Sequence, residues 1–213
     1  MHEIGFIDKL IVAFDTGLQT ICPPQKRNSV RASPAINQKT PSLSATETKH
    51  IAGLMRINHA GEVCAQALYQ GQALTARDPI IKQQLTQSAQ EEIDHLAWCE
   101  ERLTELHSHI SFFNLYWYCG SFLIGATTGL LGDKWSLGFV AETERQVTTH
   151  LNKHLKKLPP HDQKSFAILQ QMQIDEQHHA DRAIQAGAAD LPWLVKQTMR
   201  YVAKFLTTIS YYV

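Results

Sequence analysis

Two short segments place a glutamate three residues before a histidine. The first is QEEIDHLAW, with Glu92 and His95, and the second is QIDEQHHADR, with Glu176 and His179. Residues three apart on a helix share a face, with Cβ atoms about 5–6 Å apart, so each pair can converge on one ligand. Apolar residues occupy the neighbouring helical positions of both pairs, and we therefore expect both pairs to face the protein interior.

The acids beside these pairs are expected on wetter helix faces. Glu91 shares its face with two glutamines and Asp94, while Asp175 and His178 share theirs with polar and charged residues. We therefore expect His178 at the surface, and Glu91 and Asp94 at most in a supporting role.

Each pair is preceded along the chain by another glutamate in an apolar helical stripe. Glu62 lies 30 residues before Glu92, and Glu144 lies 32 residues before Glu176. Glu142, close to the second of these, has polar helical neighbours and is expected to face outward. The sequence therefore predicts two helical hairpins that each contribute one inward glutamate and one inward Glu-x-x-His pair.

Four buried carboxylates need compensation, because an unpaired buried charge costs several kcal/mol. Two divalent cations would neutralise four carboxylates, and oxygen donors with imidazole suit iron or manganese. One Glu from each of two helices and Glu-x-x-His from each of the other two is the ligand pattern of ferritin-like di-iron and di-manganese bundles. A single Glu-x-x-His is usually an accident or an exposed ion pair, but two inward copies with matching upstream glutamates favour a metal pair.

The elements that must position these residues are helices. Helical periodicity with capping and proline signals predicts four bundle helices at about 46–77, 79–106, 133–157 and 161–186, with a fifth after Pro192. We find no strand alternation in the sequence and predict an all-α, ferritin-like four-helix bundle, with the domain covering 46–213.

The first 45 residues are expected to form a separate appendage. Apolar residues at helical spacing predict a short amphipathic helix at 1–21: Ile4, Ile7, Leu10, Ile11, Phe14 and Leu18. Residues 22–45 are rich in proline, serine, threonine and basic residues, which predicts a flexible linker. The N-terminus lacks the basic start and cleavage site of a secretory leader.

Composition restricts the class of partner and compartment. The chain has 20 Lys+Arg and 20 Asp+Glu in 213 residues, and its formal net charge of zero gives no reason to expect a nucleic-acid partner. Its four cysteines include no CxxC pair, which favours a reducing compartment and small buried apolar side chains rather than a zinc site or disulfides. These cysteines are Cys22, Cys64, Cys99 and Cys119.

An apolar segment without Lys, Arg, Asp or Glu runs from His107 to Gly132. A single membrane crossing there would put the first two bundle helices and the last two on opposite sides, so the six ligands could not meet. We therefore predict a partly helical crossover between the second and third bundle helices. Packing against the bundle is one explanation for its apolar character, and self-association is another.

We favour contact of this segment with a membrane surface, because interfacial helices mix aromatic, aliphatic and flanking basic residues. Apolar residues of the last helix and of the N-terminal helix would join the same surface: Leu10, Ile11, Phe14, Phe205, Ile209, Tyr211 and Tyr212.

The amino-acid sequences and the order of these motifs resemble those of the demethoxyubiquinone (3-demethoxyubiquinol) hydroxylases of ubiquinone biosynthesis. The similar segments are RINHAGE, EEIDHL, VAETERQVTTHL and DEQHHA, within a resemblance that covers about residues 48–213. By this resemblance the six metal ligands are Glu62, Glu92, His95, Glu144, Glu176 and His179. His59, Asp94 and Asp175 are candidates to orient the imidazoles, and Tyr69 and His150 to border the substrate, although packing or solvation explains each of them equally well.

The resemblance implies a di-iron monooxygenase that binds two iron ions. It would hydroxylate a polyprenyl demethoxyubiquinol with O₂ and two electrons, in the penultimate step of ubiquinone biosynthesis. The protein would be peripheral on the cytoplasmic face of a bacterial inner membrane. It could associate there with other ubiquinone-biosynthetic proteins or with itself. The sequence has no GxGxxG nucleotide motif and does not identify the electron donor.

Two other classes of function remain open at this point. One is ferritin-like iron oxidation and storage, or peroxide reduction. The other is a scaffold for quinone-biosynthetic enzymes in which the metals are structural. Storage proteins have no need of a long apolar crossover, and the RINHAGE segment favours the hydroxylase.

Overall fold

In a computed structural model the described residues are 5–22, 27, 29–40 and 42–213, and within them the chain forms helices and no strands. The helices are α1 (Phe6–Ile21), α2 (Ala45–Thr75), α3 (Pro79–Glu105), α4 (Asn114–Leu130), α5 (Asp133–Leu155), α6 (Gln163–Gln185) and α7 (Trp193–Ser210). The all-α class is confirmed, and α2, α3, α5 and α6 are the predicted bundle helices. α2 packs against α3, and α5 packs against α6, as the two hairpins require.

Capping residues fix where the bundle helices begin. Ser44 and Glu47 form a capping box at the start of α2. Asp78 accepts a hydrogen bond from the Ile80 amide at the start of α3, and Asp162 caps α6 in the same way. These caps set the observed starts to within about two residues of the predicted ones, which is the ordinary uncertainty of helix ends.

Two apolar clusters fill the bundle at different levels. Cluster 1 contains Ile51, Met55, Trp98, Leu103, Leu151, Leu169 and Met172 with their neighbours. Cluster 2 contains Ala65, Tyr69, Leu85, Ala89, Leu137, Val140 and Ala183. On each of the four bundle helices the buried acidic residues fall between the segments that enter these clusters. The bundle therefore places its polar layer between two apolar layers.

The apolar segment forms α4, which crosses between α3 and α5 as predicted and lies along α2. Glycines make the close approach of α4 to α2 possible, because a Cβ on Gly125 would meet the Leu68 carbonyl and a Cβ on Gly71 the Phe122 carbonyl. The opposite side of α4 exposes apolar residues, among them Leu115, Tyr116, Leu123 and Ile124. Among the helices that the structure describes, none combines the length and hydropathy that a membrane crossing needs.

The N-terminal region is more closely attached than the sequence suggests. Helix α1 covers most of the predicted 1–21 element and contacts α2 and α4. Residues 22–45 are predicted to be a flexible linker, yet Arg27 is paired with Glu100 at 2.9 Å and Ala35 is buried in cluster 1. Basic residues that look like linker in the sequence find acidic partners on α3, which a one-dimensional pattern does not show.

The apolar stripe of α1 is exposed where it is described. Ile11, Phe14 and Leu18 are 60%, 69% and 46% exposed. Ile4 and the side chains of Ile7 and Leu10 lie outside the described residues. The described part of this stripe therefore faces away from the bundle.

Glu142 was expected to face outward and is instead buried. Its carboxylate accepts a hydrogen bond from the Gln146 amide at 2.7 Å, and the same amide group contacts the Lys196 carbonyl of α7. Helix α7 covers this face of α5, and that packing is why the expectation is wrong.

The cysteines are free, and they differ in exposure. Cys99 is buried and Cys64 is partly buried, whereas Cys22 and Cys119 are exposed. The prediction of small buried side chains is therefore right for Cys99 and wrong for Cys22 and Cys119. α1 and α4 lie on the outside of the bundle, and Cys22 and Cys119 belong to these outer elements.

Candidate metal centre

The six predicted ligands all lie in the polar layer of the bundle, each 3% exposed or less. Glu62 comes from α2, Glu92 and His95 from α3, Glu144 from α5, and Glu176 and His179 from α6. Helical spacing turns both members of each Glu-x-x-His pair toward the same axis. His178, the neighbour in the sequence, is exposed as expected.

The donor atoms of these residues form two overlapping groups, in each of which all atoms lie within 4.8 Å of one another. The first group is Glu62, Glu92, His95 and Glu176, and the second is Glu92, Glu144, Glu176 and His179. We call them the first half-site and the second half-site. Because two glutamates belong to both groups, the arrangement suits two neighbouring cations that share two carboxylates.

The Nδ1 atom of each histidine points at the shared carboxylates. His95 Nδ1 lies 3.0 Å from Glu92 Oε2 and 3.0 Å from Glu176 Oε1. His179 Nδ1 lies 3.0 Å from Glu176 Oε2 and 3.0 Å from Glu92 Oε1. A ring nitrogen has at most one proton to share between two carboxylates, so this convergence suits a ligand atom beside other ligands better than a pair of hydrogen bonds.

The Nε2 atom of each histidine faces an acid from the opposite helix. His95 of α3 meets Asp175 of α6 at 2.9 Å, and His179 of α6 meets Glu91 of α3 at 2.8 Å. A carboxylate on Nε2 keeps the proton there and leaves the Nδ1 lone pair free. The two crossed contacts therefore orient both imidazoles for a cation.

Burial and mutual repulsion act on the glutamates. Burial raises the pKa of Glu62 well above its ordinary value, and the charge of Glu92 raises it further. Burial likewise raises the pKa of Glu144, with the charges of Glu176 and Glu92 adding to it. Without a cation, the carboxylates of Glu62 and Glu144 therefore tend to hold a proton.

The histidines are driven toward the charged form by the same carboxylates. Burial lowers the pKa of His95, but the charge of Glu92 and the hydrogen bonds around the ring raise it well above 6.5. Burial also lowers the pKa of His179, but its hydrogen bonds to Glu176 and Glu91 raise that pKa well above its ordinary value. The polar layer thus attracts protons at two carboxyls and two imidazoles, and two divalent cations would supply the same positive charge.

Several buried carboxylate oxygens at the centre are short of hydrogen-bond donors among the described residues. Glu144 Oε2 has no partner, and Glu92 Oε1 and Glu176 Oε1 meet only an imidazole Nδ1 atom that already faces a second carboxylate. A buried charged acceptor without a donor is costly, and a bound cation would remove that cost. The donor set contains oxygen and imidazole and no thiolate, which fits iron or manganese.

We call Asp175 and Glu91, which face the Nε2 atoms, the outer acids, and each of them is paired with an arginine on its solvent side. Arg31 lies 2.8 Å from Asp175 and 2.7 Å from Asp94, and Arg182 lies 2.7 Å from Glu91. Burial would raise the pKa of Glu91, but its hydrogen bonds to His179 and Arg182 lower it well below its ordinary value. The same balance, with hydrogen bonds from His95 and Arg31, lowers the pKa of Asp175. Both outer acids are therefore ionised acceptors.

The three candidate orienting residues are placed differently. Asp175 lies on His95, whereas the structure does not bring Asp94 or His59 to either imidazole of the centre. Asp94 accepts from the Val30 amide at 2.7 Å and from Arg31. His59 lies 3.2 Å from Glu100 and near Asn114.

Sequence reasoning gave Glu91 at most a supporting role, without a partner, and missed Arg31 and Arg182. A signal for Glu91 exists, because it precedes Glu92 as Asp175 precedes Glu176 in the second motif copy. Arg182 lies two turns of helix after Asp175 in a polar stretch, with no comparable signal. Arg31 lies in the predicted linker, where the pattern gives no sign of a buried partner.

Tyr69 contacts the second half-site, and His150 does not contact either. The Tyr69 hydroxyl donates to Glu144 Oε1 at 2.6 Å, and its pKa is raised by burial and by the Glu144 charge. The His150 ring lies 4.5 Å from that of His154, and burial lowers its pKa. Tyr69 therefore stays protonated as a donor to a predicted ligand.

A cavity of about 500 Å³ opens at the outer side of α3 and α6. Its lining is polar and consists of Arg31, Glu91, Asp175, His178, Asp181, Arg182 and Gln185. None of the six predicted ligands lines it. The cavity therefore brings solvent to the outer acids but not to the polar layer itself.

Comparison with known proteins places the chain among named relatives. The family model described as "Ubiquinone biosynthesis protein COQ7" matches residues 49–210. A protein of Legionella pneumophila (strain Corby) is 60% identical over 213 residues, which is 100% of both chains. Proteins of Acinetobacter baylyi and Chromobacterium violaceum are 53% and 54% identical, over 100% and 96% of this chain and 99% and 98% of their own lengths. All three relatives are named 3-demethoxyubiquinol 3-hydroxylase.

Proposed function

This chain belongs to the COQ7 family of ubiquinone biosynthesis proteins, and from that membership we propose that it is a 3-demethoxyubiquinol 3-hydroxylase. It adds a hydroxyl group to the ring of a polyprenyl demethoxyubiquinol, using O₂ and two electrons, in the penultimate step of ubiquinone biosynthesis. The observation that carries the proposal is the pair of half-sites that share Glu92 and Glu176 in a buried layer.

Two iron ions would occupy the half-sites. Glu62 and His95 would hold the first ion, Glu144 and His179 would hold the second, and the two shared glutamates would contact both. When bound, the iron pair would activate O₂, which is the source of the oxygen atom that enters the ring. The fit rests on the unpartnered Glu144 Oε2 and on the two Nδ1 atoms that each converge on the shared carboxylates.

The protein's own groups control protons and orientation around this centre. Asp175 and Glu91 hold the Nε2 protons of His95 and His179, so both Nδ1 lone pairs face inward. Tyr69 donates to Glu144 Oε1 and leaves Oε2 free for a cation. The apolar clusters on either side keep bulk water out of the layer.

We propose that the protein meets its substrate as a peripheral protein at the cytoplasmic face of a bacterial inner membrane. A polyprenyl quinol resides in the bilayer, and α4 and α7 expose apolar side chains that include Tyr116, Leu123, Trp193 and Phe205. The two faces are continuous, because the Trp117 and Phe205 rings meet edge to face at 6.1 Å. Apolar helix faces of this kind bind lipid interfaces.

Two residues predicted for this surface contribute less than expected. Tyr211 is partly buried, packs over Gly53 and bonds His50 at 2.7 Å, and Ile209 is partly buried as well. Ile11 and Phe14 are exposed on α1 and can join the apolar face. Self-association through the same face, and contact with other ubiquinone-biosynthetic proteins, stay predictions.

The proposal is tested by loading the protein with Fe(II) without oxygen and then adding O₂, a reductant and demethoxyubiquinol in detergent. We expect the product to gain the mass of one oxygen atom. Glu92→Ala and Glu176→Ala should abolish that gain, and Glu101→Ala, an exposed glutamate of α3, should leave it unchanged.

An iron-loaded protein that returns the quinol with its mass unchanged would refute the hydroxylase. If the protein instead accumulates a ferric core, or consumes peroxide without touching the quinol, iron storage or peroxide reduction would take its place. Iron that binds without any turnover would favour the scaffold.

A further inference from the structure

Arg31 links the N-terminal segment to the candidate metal centre. Its Nη1 atom lies 2.8 Å from Asp175 Oδ2, the same oxygen that faces His95 Nε2 at 2.9 Å. Asp175 is thus the single side chain that connects Arg31 to His95 of the first half-site. Arg31 lies 18 positions before residue 49, where the match to the family model begins.

We propose that Arg31 is a positioning residue of the first half-site, and that the segment 29–35 is a part of the metal centre. Arg31 holds Asp175 in the orientation that directs His95 Nδ1 toward the ion. This inference rests on the proposed metal centre, and it concerns the strength of one ion site relative to the other.

The guanidinium of Arg31 is itself held on three sides. Its Nε donates to Asp94 at 2.7 Å, and the Asp94 carboxylate also accepts from the Val30 amide. The Trp98 ring lies beneath the guanidinium at 4.8 Å, and the Trp98 indole donates to the Arg31 carbonyl. A planar guanidinium fixed in this way presents Nη1 to Asp175 with little freedom to move.

Asp175 needs such a fixed partner because it lines the polar cavity on the outer side of α3 and α6. Its side chain is 12% exposed, and its other oxygen accepts from the Gln171 amide at 3.0 Å. Without Arg31, water would compete for Oδ2 and the carboxylate could turn away from His95. The loss of an outer partner of a metal-bound histidine typically weakens the metal by about 10–100-fold.

The second half-site has its own arginine and provides a matched control. Arg182 holds Glu91 at 2.7 Å, and Glu91 faces His179 Nε2 at 2.8 Å. Arg182 lies on α6 itself and does not depend on the N-terminal segment. Removal of Arg31 should therefore weaken the first ion, and removal of Arg182 the second.

The test measures both dissociation constants for Co(II), by chelator competition without oxygen, in the full-length protein and in Arg31→Gln, Arg182→Gln and Arg27→Gln. Arg27 belongs to the same N-terminal region but pairs with Glu100 instead of an acid that faces His95 or His179. We expect the ion beside His95 to bind about tenfold more weakly in Arg31→Gln, the lower end of the range for a direct partner of a ligand, and the other ion to keep its affinity. Arg31→Lys keeps the charge but loses the fork geometry, and it should weaken the same ion by a smaller factor.

Nuclear magnetic resonance of the Zn(II)-loaded protein with ¹⁵N-labelled histidine assigns the weakened ion. In Arg31→Gln the His95 Nε2 proton should exchange faster with water, while that of His179 stays protected. Arg182→Gln should give the reverse. If the arginines had a purely structural role, both variants would have a lower melting temperature, and the two variants would not affect different histidine rings.

The inference would be overturned if Arg31→Gln weakens both ions equally, if neither ion weakens, or if Arg27→Gln has the same effect. Failure of the unaltered protein to bind two ions would instead refute the metal centre. The two failures are therefore distinguishable.

Discussion

The first and second half-sites have equivalent inner residues but different outer supports. In the first, His95 is held by Asp175, which Arg31 reaches from a segment far away in the sequence. In the second, His179 is held by Glu91, whose partner Arg182 lies less than one turn further along the same helix as the histidine. One half-site thus depends on docking of the N-terminal segment, and the other depends on the bundle alone.

A second difference concerns Glu62 and Glu144, the glutamates that each belong to only one half-site. Tyr69 donates to Glu144 in the second half-site, whereas Glu62 in the first lies 3.6 Å from His95 Nδ1. The phenol fixes one oxygen of Glu144 and the position of its carboxylate. Two sites with the same ligand types can therefore differ in rigidity because of what surrounds the ligands.

The largest effect is expected from the residues that both half-sites share. Glu92→Ala should remove both ions, because Glu92 belongs to both donor groups, whereas Glu62→Ala should remove only the first. The measurement is the metal content per chain after anaerobic Fe(II) loading and desalting. If Glu92→Ala keeps both ions, the two half-sites do not share this carboxylate.

An intermediate effect is expected at Tyr69. Tyr69→Phe keeps the ring but leaves Glu144 Oε1 without its donor, so the second ion should bind about tenfold more weakly. The first ion should be unaffected, which stepwise Co(II) titration resolves. Equal weakening of both ions would mean that the phenol supports the bundle and not one half-site.

A smaller effect, independent of both half-sites, is expected at His154. Burial, with the charges of His150 and Lys157, lowers the pKa of His154 from 6.5 to about 3. Between these values the unfolded chain binds a proton that the folded chain does not, so the free energy of unfolding falls as the pH falls from 6.5 toward 3. The slope is at most about 1.4 kcal/mol per pH unit.

His154→Gln keeps an N–H group that can donate to Asn58 Oδ1, as His154 Nδ1 does at 2.8 Å, but it does not titrate. Urea unfolding should be measured at about pH 7.0, 6.0 and 5.0, which roughly spans the titration of an ordinary histidine. The free energy of unfolding should fall less with decreasing pH in this variant than in the unaltered protein. Parallel losses in the two proteins would contradict the assignment.

The smallest effect on the metal centre is expected from the apolar face. Phe205→Glu should leave both metal affinities unchanged, because Phe205 is 61% exposed on α7. It should reduce co-flotation with liposomes of phosphatidylethanolamine and phosphatidylglycerol, since a charge would then enter the lipid interface. Flotation equal to that of the unaltered protein would argue against this face, and a change in metal content would show that α7 and the half-sites are coupled.

The bundle and its inward residues were predictable because they depend on local periodicity. The Glu-x-x-His spacing follows from helix geometry, and the repeat of that spacing indicates two equivalent helices. The crossover α4 was predictable from a topological requirement, since the half-sites need both hairpins on the same side of any membrane. Both features depend on neighbours in the sequence or on a global constraint of the fold.

The outer residues were not predictable in the same way because they depend on tertiary contacts. Arg31 lies in a segment with the composition of a linker, and its partners Asp94 and Asp175 are distant in the sequence. The pattern of α5 predicts an outward Glu142 because it does not show that α7 covers this face. Glu91 could have been found by aligning the two motifs, since it occupies the place of Asp175.

The central claim is that two cations occupy two half-sites that share Glu92 and Glu176. An anomalous difference map from crystals of the Fe(II)-loaded protein, measured at the iron edge, tests it most directly. The map should show two peaks, one beside His95 Nδ1 and the other beside His179 Nδ1, both in contact with the shared carboxylates. A single peak, or peaks on the Nε2 side of the imidazoles, would contradict the account.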